Sequence, residues 1–423
     1  MSWIEVSKLI RIANSVILIM SFFGLLRIFI AYFFSNVYDY KYIKFRSSHR
    51  REINNYNPSI TIVIPAFNEE KSICKTIESV CKNCYQNKKI IIVNDGSVDR
   101  TSEVVQHFID NHTDYPVTLI NQPNGGKSVA INNALFNHVD TDLMMVLDAD
   151  SILDKSAVKR MVEWFWNRKT LAMAMNVKMI QVPTALGLCQ RFEFISSYRG
   201  KCAEHVLKTL YIVGGIGSTF RTNALKKIGG YDINTPTEDI DLTLKLLSAY
   251  GNKRYIVGYA NDAVAYTQPV SKFKSLVRQR YRWKYGRFIA FVKYHHLFFN
   301  RNRGLSKTLT FLKLPNSILQ ELFMLIEPYV YIYLLFITIR YADWQMLLSM
   351  VCYVVVVLLL SVSSAHESIK NQCILTIIAP LNFLLSYILT IVEYSSLISS
   401  IFHIKSIINY KSNHANWNHV ERM

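Results

Sequence analysis

From Ser59 to Ser151 four short apolar runs alternate with amphipathic stretches, and this alternation limits the fold more tightly than any other feature of the chain. SITIVIPAF (59–67) reads as a strand, followed by a helix over about 69–84. KKIIIVNDGS (88–97) is a second strand, with a helix near 100–111. VTLINQ (117–122) is a third, with a helix from about 126 to 138, and TDLMMVLDADS (141–151) is a fourth. Strand–helix alternation of this kind predicts an α/β domain built on a mostly parallel sheet with crossover helices. Ligands of such sheets bind beyond the carboxyl ends of the strands. Asp95, Asp148 and Asp150 fall at those ends.

The flanks of this region are apolar. Residues 12–34 are long enough to cross a bilayer as one helix, with Arg27 placed to snorkel or to face another helix. The stretch exceeds a signal-peptide core, and no small-residue cleavage site follows it. Segments near 317–339, 345–362 and 373–402 give three further expected spans, the last carrying Glu393. FIAFVKYHHLFF (288–299) opens an expected interfacial amphipathic region, 288–316. The tail after residue 403 is polar.

The net charge of +18 calls for an anionic partner, and its distribution selects the membrane over nucleic acid. Lys41, Lys44, Arg46, Arg50 and Arg51 follow the first apolar segment, within a basic linker that reaches residue 58. Arg301, Arg303, Lys307 and Lys313 precede the next apolar segment. That pattern places residues between about 40 and 313 in the cytoplasm. No nucleic-acid motif or interleaved aromatic stripe is present. The seven cysteines show no disulfide spacing, and Cys81 and Cys84, with Cys74 nearby, lack the second pair of a zinc site.

Asp148-Ala149-Asp150 closes a buried strand, where two hard oxygen ligands suit Mg²⁺ or Mn²⁺ held against a diphosphate. Asp95 in NDGSVDRT can accept hydrogen bonds from a base or ribose, or belong to a helix-capping region with Ser97 or Asp99. Asn124-Gly125-Gly126-Lys127 precedes a helix and offers either a phosphate site or a tight turn; it is not a P-loop. Glu238 and Asp239 open a helix, as ordinary macrodipole partners or as a general base beside a donor. Gly214-Gly215-Ile216-Gly217-Ser218 suits a loop lining an acceptor cleft. Gln279, Arg282 and Trp283 share one face of a predicted helix, fit either for a diphosphate and a sugar ring or for an interfacial anchor.

Taken together, VIPAFNEE (63–70), VNDGSVDRT (93–101), NGGKSVAINNAL (124–135), LDADS (147–151), TEDIDLTLKL (237–246) and QRYRW (279–283) resemble the membrane-embedded processive family-2 glycosyltransferases. That group makes cellulose, chitin, hyaluronan and poly-N-acetylglucosamine, and the wording of NGGK and TEDIDLT is most similar to bacterial poly-β-1,6-N-acetylglucosamine synthases. The resemblance covers residues 59–287. It implies a GT-A fold and inverting transfer from a UDP-sugar, UDP-GlcNAc by the nearest wording, to a growing β-linked exopolysaccharide. It further implies that Asp95 and Asp148 bind the nucleotide and Asp150 the metal. Asp239 would be the base, with Glu238 beside it, and Lys127, Gln279, Arg282 and Trp283 would hold donor and acceptor. The expected setting is the plasma membrane, crossed by one span before the catalytic domain and three after it. A helper subunit or a homo-oligomer would complete an export route, and the long C-terminal cyclic-dinucleotide-binding extension of cellulose synthases is not expected. Another β-glycan synthase, a non-processive transferase for a lipid or short acceptor, and a transporter or scaffold that has lost catalysis are the competing readings.

Overall fold

The computed structural model describes residues 3–341 except 181 and 183, residues 369–403, and a few single positions beside them. Its centre is an eight-stranded sheet in the order β3-β2-β1-β4-β7-β6-β8-β5. The strands are β1 (Ile60–Ala66), β2 (Lys88–Asp95), β3 (Val117–Gln122), β4 (Leu143–Val146), β5 (Ile152–Leu153), β6 (Thr170–Met179), β7 (Ser218–Arg221) and β8 (Ile256–Thr267). The helices up to the glycine-rich loop are α1 (Trp3–Ser48), α2 (Arg50–Asn55), α3 (Ile73–Cys81), α4 (Thr101–Asn111), α5 (Lys127–Asn137), α6 (Ala157–Trp164) and α7 (Ala185–Leu207). Beyond it lie α8 (Thr222–Lys227), α9 (Glu238–Tyr250), α10 (Phe273–Lys293), α11 (Leu314–Tyr341) and α12 (Ile369–Phe402).

The first half follows the sequence expectation. β1 pairs with β2 and β4, and β2 with β3, all parallel. Helices cover both faces of these strands, so ITIVIPA and LMMV are buried from end to end and read as unbroken apolar runs instead of alternating ones. β4 is shorter than expected: the strand stops at Val146, and Asp148 to Asp150 lie in the turn beyond it.

The second half corrects the expectation of a mostly parallel sheet. β7 lies antiparallel between β4 and β6, and β5 lies antiparallel to β8; only β6 and β8 restore a parallel pair. The sheet is therefore mixed. The physical reason is the return of the chain from α7: the glycine-rich loop enters the sheet from the ligand edge, so β7 runs opposite to β4. Its register sets Ser218 against Val146, which brings Gly214–Gly217 directly beside the Asp148 turn.

Several expected boundaries move. The first helix continues as one unit to Ser48, well past the expected span and into the basic linker. Its end docks on the domain: Tyr42 stacks on Trp164 at 5.1 Å, the Tyr38 hydroxyl donates to the Tyr259 carbonyl at 2.7 Å, and Arg46 pairs with Glu163. Residues 288–293 complete α10 instead of starting an interfacial helix. Ala290, Phe291, Tyr294 and Leu297 are buried in the main core, so the apolar side of this segment is used inside the domain. Among the described residues one helical stretch, Thr308–Val330, is long and apolar enough to cross a membrane. The expected segment 345–362 and tail 404–423 lie outside the described residues apart from Leu348, Lys405 and Ile407.

Candidate active site

Four sequence motifs converge at the carboxyl ends of β1, β2 and β4. Asp95 ends β2 with its side chain fully buried. One of its oxygens accepts from the Gln122 amide at 2.7 Å and the Gly125 N–H at 2.9 Å; the other accepts from the Gly126 N–H at 2.8 Å. Both carboxylate oxygens are thus committed to the 124–126 turn. In this arrangement Asp95 builds the turn that launches Lys127. Gly96 makes this possible: its backbone adopts φ +69°, and a Cβ there would lie 2.6 Å from the Asn124 nitrogen.

Lys127, the first residue of α5, points across the sheet edge. Its ammonium lies 2.9 Å from Asp148 Oδ1 and 2.7 Å from Glu238 Oε1. A Cβ on Gly215 would stand 3.1 Å from the Lys127 nitrogen and 3.9 Å from both carboxylate oxygens, so the glycine-rich loop roofs the cluster. The Asp148 turn is itself braced. The Ser151 N–H donates to the Asp148 carbonyl at 3.1 Å, and the Thr76 hydroxyl to the Ala149 carbonyl at 2.8 Å. Asp150 accepts from the Ser151 hydroxyl at 3.3 Å.

The electrostatics divide the two acids that open α9. Burial works against ionisation of Glu238, but Lys127 and then Arg282 outweigh it and hold its carboxyl below the usual range. Asp239 goes the other way. Burial and the neighbouring Glu238 charge push its carboxyl up to about 6. Burial also opposes the Lys127 charge, yet Asp148 and Glu238 outweigh it and keep the ammonium protonated well beyond the ordinary lysine range. Two adjacent carboxyls separated in this manner can serve different roles, one a fixed anion and one a proton acceptor near neutral pH.

α10 closes the site through its contact with α9. Gly286 packs on Thr237: a Cβ there would meet the threonine hydroxyl at 2.4 Å. Of the three residues expected to share a ligand-facing side, Arg282 is exposed and acts on Glu238 and Asp239. Gln279 is buried, and the Trp283 ring lies under the Arg280 guanidinium at 4.6 Å. Sequence reasoning missed a second side of this helix. Arg280, Lys284 and Arg287 recur at i, i+4 and i+7 and pair with acids from three other helices. Arg280 forms two bonds to Glu193 of α7, at 2.5 and 2.7 Å. Lys284 lies 2.7 Å from Glu321 of α11 and 2.9 Å from Glu393 of α12, and Arg287 lies 3.1 Å from Glu321. The signal was available as Glu321 and Glu393, acids in apolar segments, which are expensive unless paired.

Among the described residues no group of three or more His, Cys, Asp or Glu side chains is placed to hold a metal. Asp148 and Asp150 supply two hard oxygen donors at the strand edge. That set fits Mg²⁺ or Mn²⁺ bound with the help of a substrate diphosphate and water, and does not fit an all-protein cage.

The sheet edge carries a lysine-bridged pair of acids, Asp148 and Glu238, with a third acid, Asp239, beside them. A mannosyltransferase from Pyrobaculum calidifontis, solved in complex with GDP-Man and Mn²⁺, shares the fold with a TM-score of 0.53 at 16% identity, over 89% of this chain and 98% of that one. Residues 58–286 match the family described as Glycosyltransferase like family 2, and the chain belongs to that family. Within it, the chain is 31% identical over 229 residues to a poly-beta-1,6-N-acetyl-D-glucosamine synthase of Staphylococcus epidermidis and 30% identical to one from Staphylococcus aureus strain COL. Each match spans 54% of this chain and 54% of the relative, so the chain spans about half the length of the curated relatives it matches.

Proposed function

We propose that the chain is a membrane-bound inverting transferase that moves N-acetylglucosamine from UDP-GlcNAc onto the end of a β-linked glycan and elongates it. The observation that carries this reading is Asp239, a carboxyl raised to about 6 beside the lysine-bridged pair Asp148 and Glu238.

In this reading the donor diphosphate lies at the Asp148 turn, where Asp148 and Asp150 would hold Mg²⁺ or Mn²⁺. The ion, when bound, neutralises charge on the diphosphate and eases its departure. Lys127 changes partners on donor binding, turning its ammonium from Asp148 toward phosphate oxygens while keeping Glu238. Asp95 shapes the nucleotide side by fixing the turn before Lys127. Asp239 takes the proton from the acceptor hydroxyl as that oxygen attacks the anomeric carbon, and Glu238 stays ionised to keep the Asp239 pKa high. Arg282 supplies a cation at the diphosphate, with Gln279 and Trp283 on the same helix lining the acceptor side. The glycine-rich loop gives the acceptor sugar close access to backbone. Residues 12–34 of α1 and Thr308–Val330 are assigned to the bilayer, with further C-terminal spans, a helper subunit or a homo-oligomer completing an export path.

The test incubates membranes containing the chain with labelled UDP-sugars and sizes the products. Consumption of UDP-GlcNAc with long, β-linked product is expected. Product limited to mono- or disaccharide adducts would overturn elongation, and preference for another UDP-sugar would overturn the donor.

A further inference from the structure

The segment from Phe288 to Lys313 contains no Asp or Glu, while it carries Lys293, Arg301, Arg303, Lys307 and Lys313. Lys293 and Lys313 are accounted for: Lys293 pairs with Asp241 at 2.7 Å and Lys313 with Glu204 at 2.5 Å. Arg301, Arg303 and Lys307 are exposed and make no ion pair among the described residues. These three line one cavity of about 550 Å³ together with Thr308, Phe311 and Leu312. Leu312 is 66% exposed, and Phe299, 61% exposed, meets Phe311 edge-on at 5.9 Å. The cavity therefore has a cationic rim, a hydroxyl and an apolar side.

Its position and rigidity give it meaning. The cavity sits where Thr308–Val330 begins, so its apolar side continues into the one described stretch long and apolar enough to cross a membrane. The loop that carries the arginines is fastened to the catalytic domain. The Gly304 carbonyl accepts from the Lys253 N–H at 3.0 Å, the Ser306 N–H donates to Asn252 at 2.8 Å, and the Thr308 hydroxyl donates to the Leu207 carbonyl at 2.8 Å. Hence the backbone that carries the cations is held in place before any ligand arrives, which reduces the ordering cost of binding one.

We infer that Arg301, Arg303 and Lys307 form a headgroup site for an anionic phospholipid, whose acyl chains run along Phe311 and Leu312. The inference rests on the membrane reading of Thr308–Val330. It goes beyond sugar transfer, because the site lies on the loop after α10 and uses none of the groups assigned to donor or acceptor. A bound lipid would tie the catalytic domain to the bilayer through the ends of α7 and α9, to which this loop is hydrogen-bonded.

The experiment uses the full chain in detergent, titrated with dioleoyl phosphatidylglycerol or dioleoyl phosphatidylcholine and monitored by native mass spectrometry. Phosphatidylglycerol is expected to bind about a hundred-fold more tightly, as three cations near a surface allow. The exposed triple variant R301Q/R303Q/K307Q should lose that preference while keeping the thermal transition of the parent. L312S should weaken phosphatidylglycerol binding and leave glycerol 3-phosphate binding unchanged. Equal binding of the two lipids, or an unchanged triple variant, would overturn the site. Displacement of phosphatidylglycerol by equimolar inorganic phosphate would overturn the lipid assignment in favour of a free phosphate. Since every readout is lipid binding, failure here is separable from failure of the transferase reading.

Discussion

Lys127 meets Glu238 at 2.7 Å, joining residues 111 positions apart, and the same ammonium reaches Asp148 at 2.9 Å. This bridge ties the first half of the sheet, which carries the Asp148 turn, to the start of α9. It also sets the charge of both acids there, holding Glu238 ionised while Asp239 remains the weaker acid of the two.

Asp239→Asn is expected to lower kcat by about 10²–10⁴-fold, the usual contribution of a positioned base. UDP affinity, measured separately by calorimetry, should stay close to wild type. A variant with wild-type turnover would remove Asp239 from the role of base.

The pH profile follows from the same group. A base must be deprotonated, so the acidic limb of kcat/KM should rise through about pH 6. Stability has the opposite sign. A carboxyl raised in the folded state favours folding below its unfolded pKa, and that contribution is lost as pH rises from about 4 toward about 6. Asp239→Asn should therefore flatten this part of the stability profile in thermal unfolding scans.

Lys127→Met removes the cation shared by Asp148 and Glu238. Loss of a charged hydrogen bond predicts a KM for the donor about 10–100-fold higher. Because Lys127 also lowers the Asp239 pKa, the acidic limb should move upward in pH. A purely structural lysine would leave that limb where it is, which makes the pH–rate curve the deciding measurement.

Gly286→Ala places a methyl group 2.4 Å from the Thr237 hydroxyl. Overpacking of this kind costs about 1–3 kcal/mol and pushes α10 away from α9. Both the unfolding midpoint and kcat should fall, with substrate KM changing less. An alanine variant with unaltered kcat would show that this contact does not position the acids.

Lys284→Met leaves Glu321 and Glu393 short of a buried partner. Removal of one member of a buried pair costs about 3–5 kcal/mol, and Arg287 at 3.1 Å from Glu321 keeps the value toward the lower end. The double variant K284M/E393Q, which removes the carboxylate left without its lysine while Glu321 keeps Arg287, should recover part of the loss in a detergent unfolding assay. Equal stability of the single variant and the parent would contradict the pairing.

Chelation is expected to stop sugar transfer, and Mg²⁺ or Mn²⁺ to restore it. Asp150→Asn should raise the metal concentration needed for half-maximal rate, since it removes one of the two carboxylates proposed to hold the ion. A rate resistant to chelator would take the metal role from Asp148 and Asp150.

Local chemistry determined much of this protein. Apolar runs were enough to place β1, β2 and the Asp95 and Asp148 turns, because a strand buried on both faces leaves an unbroken apolar signature. The helix opened by Glu238 was equally legible from its pattern. Only the tertiary structure decided that Asp95 spends its oxygens on the 125–126 backbone and that Lys127 unites Asp148 with Glu238. The same holds for β7 running antiparallel beside β4, and for the Arg280, Lys284 and Arg287 side of α10 meeting acids from three helices. Periodicity records which residues must leave water, and it says nothing about which distant charge will be waiting when they do. Pairings across a hundred residues depend on strand order and helix docking, and those are settled only when the whole sheet closes.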